Sequence, residues 1–506
     1  MADQVDVRLS DGLAAGELAL VRDVLAALDD DGIQWCHWKS NEHVLAGLRG
    51  ETDLDLLVSP EAEQSCERIL RQHGYLEAVN PRLRRIPGLR DYLGLDVETG
   101  TVSHLHVHHR LVLGERHVKE HHLPLEDWLL SGDERRHGVR VPRPEQELVL
   151  LYIRAILKSD TLAGLRDRFR GRSPVPQAIR DEIAHLASRT SDDAVVEALR
   201  ESGLPLHPAD LRDFLRRARQ NRLDAAYLRR AKGDLLDRLR PFERHSRPVA
   251  SVRRVGYRVR FDSRAQRLLR VRRKRLAGKG LYIAIVGADG SGKSRLAADL
   301  VPWLSRKLDV LPLYFGQPKG HATWRGIRRV RRLIASAPAT DGRDTWIDRW
   351  DTGTWLYLAL RRRRLDLTAR RHRNRGGVAL AERFPLPEFR DMALPMDGPR
   401  LAGRGRVSVA SRLEARCYEA IRRPDLVIAL VADLDLLRRR KPETDAVEHI
   451  GKADALLQLR PRPGLVVIEA AQPYSEVLLA AKRAIREALL DGTPLEGTPA
   501  NRKPGS

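Results

Sequence analysis

Cysteine is scarce in this chain: 506 residues hold three, Cys36, Cys66 and Cys417, far apart and without a C-x-x-C pair. That spacing offers neither a disulfide framework nor a cysteine zinc site, so the thiols read as reduced and packed. Long apolar runs are missing too. No stretch of 18 or more apolar residues exists, which argues against a membrane-spanning helix. The opening residues, MADQVDVRLSDG, lack the basic and apolar regions of a secretory signal, and the expectation is a cytoplasmic protein. Acidic residues are in deficit, 68 against 91 Lys and Arg, for a formal charge of +23. More than half of that excess lies in residues 244–280, where fourteen Lys and Arg face the single Asp262, a net +13. Such a segment suits anionic lipid headgroups or nucleic acid, or else a solvated Arg-rich connector. Aromatic interleaving is sparse there, Tyr257 and Phe261, and no nucleic-acid fold signature accompanies the charge.

What is present is sharper. Residues 281–300 read LYIAIVGADGSGKSRLAADL, an apolar strand entering Gly287-Ala-Asp-Gly-Ser-Gly-Lys293-Ser294 and then a helical pattern. Gly287, Gly290 and Gly292 let successive backbone N–H groups, Ser291 included, turn toward a phosphate, and the next helix adds its positive end. Lys293 then reaches the β/γ oxygens and Ser294 is placed for Mg²⁺. A glycine turn before a helix would not require Lys-Ser directly after the last glycine. The motif predicts binding of ATP with Mg²⁺.

At 506 residues the chain is too long for one ordinary domain. We expect an α/β multidomain protein: an α+β domain over 1–135, an all-α region over 144–243, the basic connector 244–280, a parallel α/β sheet domain over 281–490 and a disordered tail, 491–506. The first domain should open with a helix over Glu17–Leu28. In Thr52-Asp-Leu-Asp-Leu-Leu-Val58, alternation puts Asp53 and Asp55 on one strand face, a platform for Mg²⁺ or a plain polar face. A hairpin follows, Tyr92–Asp96 turning at Glu98–Gly100 into His104-Leu-His-Val-His108, whose period of two aligns His104, His106 and His108. From Pro144 to Leu239 the apolar spacing is helical, and no chemistry can be assigned to it.

In the C-terminal half IAIVG, LDVLPLYFG, GVALAERF, DLVIALVA and GLVVIEA read as strands separated by helical stretches, so residues directly after each strand are the candidates for chemistry. Those are the phosphate loop, Phe315–Gly320, Glu382-Arg383-Phe384 and the region after Ala432.

Two resemblances follow from these residues. Lys39-Ser40-Asn41, a short helix and D-x-D-L-L-V resemble the minimal nucleotidyltransferase fold over roughly residues 15–130. That resemblance implies Asp53 and Asp55 as metal ligands. The family has Gly-Ser where Lys39-Ser40-Asn41 stands here, and His104, His106 and His108 occupy the strand expected to carry a third carboxylate. Either a histidine replaces it or the domain has lost transfer chemistry. The C-terminal half resembles thymidylate kinases: G-x-D-G-x-G-K-S, Glu382-Arg383-Phe384 after the third strand, Pro424-Asp425-Leu426 opening the fourth, and Arg438-Arg-Arg-Lys441 at the lid. By that resemblance Asp289 faces the acceptor, Glu382 supports Mg²⁺ or a water, Arg383 holds the moving phosphoryl group, and Arg438 and Arg440 neutralise its charge. The segments with which that family grips dTMP are replaced by Gly316-Gln-Pro-Lys-Gly-His321 and by Pro385–Phe389 with Met396–Pro399. The resemblance therefore implies a phosphotransferase of nucleoside-monophosphate-kinase type whose acceptor is open. The alternatives are an ATP-gated regulatory protein contacting an anionic membrane or nucleic acid through 244–280, and a nucleotidyltransferase acting through Asp53 and Asp55.

Overall fold

The computed structural model describes residues 16–81, 84–115, 118–159, 175–261, 273–318, 322–336, 343–387, 398–401, 408–441 and 447–491. The tail 492–506, connector residues 262–272 and, of the rewritten acceptor region, residues 319–321, 388–389 and 396–397 lie outside them. The chain divides into two compact units, 1–272 and 273–506.

In the first unit α1 (Ala19–Asp30) buries Val21, Val24, Leu25 and Leu28 and stops at Gly32, whose positive φ a side chain would resist. It flanks a sheet of β1 (Trp35–His37), β2 (Leu54–Val58), β3 (Leu76–Val79), β4 (Leu89–Leu95) and β5 (Val102–His108), with α2 (Glu63–Gln72) between β2 and β3. The strands lie in the order β1-β2-β5-β4-β3, with β2 and β5 parallel and the other neighbours antiparallel. The β4–β5 turn is held by Asp96, whose carboxylate accepts from the Glu98 and Thr99 N–H groups. This closure fixes the register: His106 on β5 stands opposite Asp55 on β2 and opposite Asp91 on β4. Opposite residues share a sheet face, so the register sets the chemistry of that face.

The helices that follow are α3 (Pro144–Lys158), α4 (Gln177–Ala187), α5 (Asp192–Glu201), α6 (Pro208–Arg219), α7 (Ala225–Arg238) and α8 (Arg247–Phe261). From Gln146 to Leu157, α3 is buried on every side, as a central helix must be when apolar around its circumference. Its core is continuous with Cys36, Trp38 and Leu57 of the sheet and with Phe214 and Leu215 of α6, so the helical region and the sheet share one interior. All three cysteines are free and buried, and burial pushes the Cys66 thiol up to about 12.

The second unit is a five-stranded, wholly parallel sheet of β6 (Leu281–Gly287), β7 (Val310–Tyr314), β8 (Val378–Glu382), β9 (Leu426–Val431) and β10 (Leu465–Glu469), in the order β7-β8-β6-β9-β10. The crossovers carry α9 (Lys293–Ser305), α10 (Ala322–Ser336), α11 (Arg343–Asn374), α12 (Val409–Glu419), α13 (Leu434–Arg440) and α14 (Val447–Leu457), and α15 (Tyr474–Asp491) closes the unit. Strands β6, β8 and β9 are apolar almost without alternation because helices cover both faces. The phosphate-binding strand β6 lies at the centre, between β8 and β9. In such sheets the ligand crevice opens beyond the carboxyl ends of the strands where the connections change direction, here beyond β8, β6 and β9. No helix among the described residues is long and apolar enough to cross a membrane.

Candidate functional site

The loop after β6 has the backbone its glycines require. Gly290 and Gly292 both have φ +91°, a region costly for other residues. Gly292 directly precedes α9. A Cβ at Gly287 would lie 2.4 Å from Ser291 Oγ and 3.0 Å from the Leu430 carbonyl of β9, so only glycine fits between strand and loop. Ser291 is buried, and its hydroxyl has no hydrogen-bond partner among the described residues, a polar atom left over inside the phosphate cradle.

Charge gathers on Asp289. Its Oδ1 accepts from Lys293 Nζ at 2.9 Å and from Arg383 at 2.7 Å, and Lys441 Nζ lies 3.7 Å from Oδ2. Lys293, only 5 % exposed, also donates to the Ala288 carbonyl at 3.0 Å. Next to this cluster the Ser294 hydroxyl donates to Glu382, which ends β8. A hydroxyl paired with a carboxylate is a hard-oxygen donor set, and the two residues fit Mg²⁺. Arg383 has φ +58°, a left-handed conformation that costs an arginine roughly 1–2 kcal/mol, and its N–H donates to the Ile285 carbonyl of β6. Such outliers persist where the surroundings dictate them, and this one sits where the side chain turns onto the phosphate loop.

The structure brings Lys293, Ser294, Asp289, Glu382 and Arg383 together. It directs Arg440 to the Ala470 carbonyl after β10 at 3.0 Å and puts Arg438 3.9 Å from Asp435. Lys441 is the member of this basic stretch that meets Asp289. Phe315 and Phe384, which follow strands and were candidates for chemistry, are core residues instead: their rings meet edge-on at 5.3 Å, and Phe315 is fully buried. Pattern reasoning missed Arg361 and Arg362 of α11, which donate to the carbonyls of Tyr314, Phe315 and Gly316 at the end of β7. They sit in an unbroken Arg361–Arg364 run, which reads as a solvated face until the helix is packed.

The first unit holds a second cluster. His104 Nδ1 lies 2.9 Å from Asp53 Oδ1, and His104 Nε2 lies 3.1 Å from Asp91 Oδ1. His106 Nδ1 lies 3.1 Å from Asp55, while its Nε2 lies 3.1 Å from Asp91 and 3.7 Å from Asp53. His108 Nε2 approaches Asp55 at 3.4 Å, and Lys39 Nζ approaches it at 2.6 Å. Burial opposes ionisation of Asp55, but the Lys39 ammonium and the hydrogen bonds from His106 and His108 outweigh it and hold the carboxyl well below the usual range. Burial pushes His108 down to about 4, against the pull of Asp55. A third carboxylate is thus present after all. Asp91 enters from β4, the strand beyond the one expected to carry it. The hairpin turn was the signal that could have found it, since counting outward from Asp96 opposite Thr101 pairs Asp91 with His106.

No protein-family model matches the chain. The chain is similar to the uncharacterized ATP-binding protein YghR of Escherichia coli K12, 30% identical over 219 residues that span 40% of this chain and 86% of that protein. It is also similar to the thymidylate kinase of Jannaschia sp., 33% identical over 172 residues covering 33% of this chain and 72% of the enzyme. Among solved structures, the thymidylate kinase of Candida albicans aligns with 41% of this chain and 92% of its own, at 17% identity and a TM-score of 0.29.

Proposed function

The chain belongs, through its C-terminal half, to the thymidylate kinase-like family of P-loop proteins, and from that premise we propose that this half binds ATP with Mg²⁺ and transfers its terminal phosphoryl group to a small acceptor. The observation that carries the reading is the convergence of Lys293 and Arg383 on one oxygen of Asp289, beside the Ser294–Glu382 pair, at the ends of adjacent parallel strands. Both cations share one carboxylate oxygen, and Lys293 also donates to the Ala288 carbonyl. A triphosphate offers them more negative charge and more acceptor atoms, so they pass to the phosphates with little rearrangement. Lys293 then spans the β and γ oxygens, and Arg383 follows the group in flight. Ser294 holds Mg²⁺, with Glu382 supporting it directly or through a water. Lys441 adds charge neutralisation beside Asp289, and Arg438 and Arg440 would do so only on leaving Asp435 and the Ala470 carbonyl. The bond from γ-phosphorus to the bridging oxygen breaks as the bond to the acceptor oxygen forms, and the protein's share is positioning and charge neutralisation. With the dTMP-gripping segments replaced, the acceptor is a nucleotide, a sugar phosphate or another small hydroxyl or phosphate compound.

Incubation with γ-labelled ATP, Mg²⁺ and a panel of nucleotides and sugar phosphates tests the reading. Label should reach one acceptor class, and Lys293→Ala should abolish the transfer. Full transfer by that variant would refute the assignment.

A second reading, contact with an anionic membrane surface through 244–280, is supported by α8. Val249, Val252 and Val255 are spaced by three along it and all are exposed, Val252 by 73%. Exposed valines within a strongly basic helix match the make-up of interfacial helices. Vesicles rich in phosphatidylglycerol should sediment the protein in a salt-sensitive way, and Val252→Asp should weaken this. Equal sedimentation with neutral vesicles would sink the reading.

A further inference from the structure

We propose that Asp53, His104 and His106 form a transition-metal site in the N-terminal unit, with Asp55 and Asp91 outside the coordination shell as carriers of the two imidazoles. Asp53, His104 and His106 each offer one ligand atom, and these atoms lie within 4.8 Å of one another. A tetrahedral ion with bonds of 2.0–2.1 Å sets its ligands about 3.3 Å apart. The observed separations lie on either side of that value, 2.9 Å from Asp53 Oδ1 to His104 Nδ1 and 3.7 Å from the other oxygen, Oδ2, to His106 Nε2.

The remote nitrogens carry the argument further. A metal-bound histidine is oriented by donating its other ring N–H to a carboxylate or carbonyl. Both histidines are arranged so: His104 Nε2 faces Asp91 at 3.1 Å and His106 Nδ1 faces Asp55 at 3.1 Å. Each ring therefore turns its opposite nitrogen toward Asp53. Asp91 Oδ1 also lies 3.1 Å from His106 Nε2, a nitrogen without a proton once it ligates the ion, so Asp91 orients His104 alone by hydrogen bonding, and Asn80 Nδ2 fixes its carboxylate from behind at 2.5 Å. His104 and Asp91 are almost wholly buried, which makes this a built arrangement and not a polar surface.

A pair of Mg²⁺ ions held by Asp53 and Asp55 together fits less well, because the contacted oxygen of Asp55 is already engaged by Lys39, His106 and His108. Two imidazoles and one carboxylate favour a borderline ion such as Zn²⁺ or Co²⁺ over Mg²⁺, which prefers oxygen and keeps its waters. Three protein ligands leave a fourth position for water or a substrate, as in catalytic zinc sites. This inference is independent of the phosphate loop.

The experiment is Co²⁺ titration of the untagged, chelator-stripped full chain, followed by visible absorption. The expected result is a one-equivalent ligand-field spectrum that Zn²⁺ bleaches and excess Mg²⁺ leaves in place. His104→Ala and His106→Ala should each remove it, and Asp55→Asn and Asp91→Asn should weaken binding roughly 10–100-fold. X-ray absorption of the Zn²⁺-loaded wild type should show two imidazoles, a readout that does not depend on any variant folding. The proposal is overturned by a wild type with no such spectrum or no imidazole scattering. It is equally overturned by displacement at comparable Mg²⁺ concentrations, or by unchanged binding in the folded His104→Ala/His106→Ala double variant.

Discussion

Glu147 lies in the first turn of α3, where its two oxygens accept from the Asn41 backbone N–H at 3.2 Å and from Asn41 Nδ2 at 2.9 Å. Burial pushes its carboxyl up to about 7, reinforced by the nearby Glu182 and Glu42 carboxylates and only partly offset by the Asn41 hydrogen bonds. A carboxyl raised in the folded state is bound to its proton more tightly there than in the unfolded chain. Stability is therefore greatest below the ordinary value of 4.5 and falls as pH rises through about 7. At 1.36 kcal/mol per pKa unit the loss is roughly 3 kcal/mol, complete by about pH 8. Glu147→Gln removes the charge but sets an NH₂ group against one of the two Asn41 donors, which costs on the order of 1 kcal/mol. The variant should thus be more stable than wild type by roughly 2 kcal/mol at pH 8 and should lose the advantage at pH 4. The assay is hydrogen exchange of the α3 peptides in a urea series at both pH values. A variant equally destabilised at pH 4 and pH 8 would show that Glu147 is already charged and well paired in the folded protein.

Two further substitutions test the phosphate loop and its support. Gly287→Ala places a methyl group 2.4 Å from Ser291 Oγ and 3.0 Å from the Leu430 carbonyl, so affinity for a fluorescent ATP analogue should fall at least tenfold with β6 still folded; unchanged affinity would contradict the close approach. Gly280→Ala would set its Cβ 1.8 Å from the backbone carbonyl of Gly377, a clash with a group that cannot rotate away. It should cost about 1–3 kcal/mol or more, lowering the melting temperature of the C-terminal unit, and an unchanged melting curve would refute it.

Legibility in the sequence tracked how local each feature was. The phosphate loop is contained in eight consecutive residues whose glycines, lysine and serine each answer a local need, and the five parallel strands announce themselves by short apolar runs. Residues after strands were harder to sort. Phe315, Arg383 and Phe384 have equivalent places in a pattern, yet side-chain direction sends the two rings into the core and the guanidinium to Asp289. Lys441 likewise looks like any other member of its basic run until α13 is packed near the loop, where Leu437 and Lys441 come within van der Waals reach of a Cβ built at Gly290.

The N-terminal cluster separates local from tertiary information most cleanly. The period of two along β5 set His104, His106 and His108 on one face, and the same period put Asp53 with Asp55. Sequence alone therefore determined which residues could act together within a strand, because backbone pleating is a local property. Only the tertiary structure decided that Asp91 joins them and that Asp55 is taken by Lys39. Pairing between strands depends on register, and register is set by the turn at Asp96–Thr101 and by the burial of one face, which no single strand encodes.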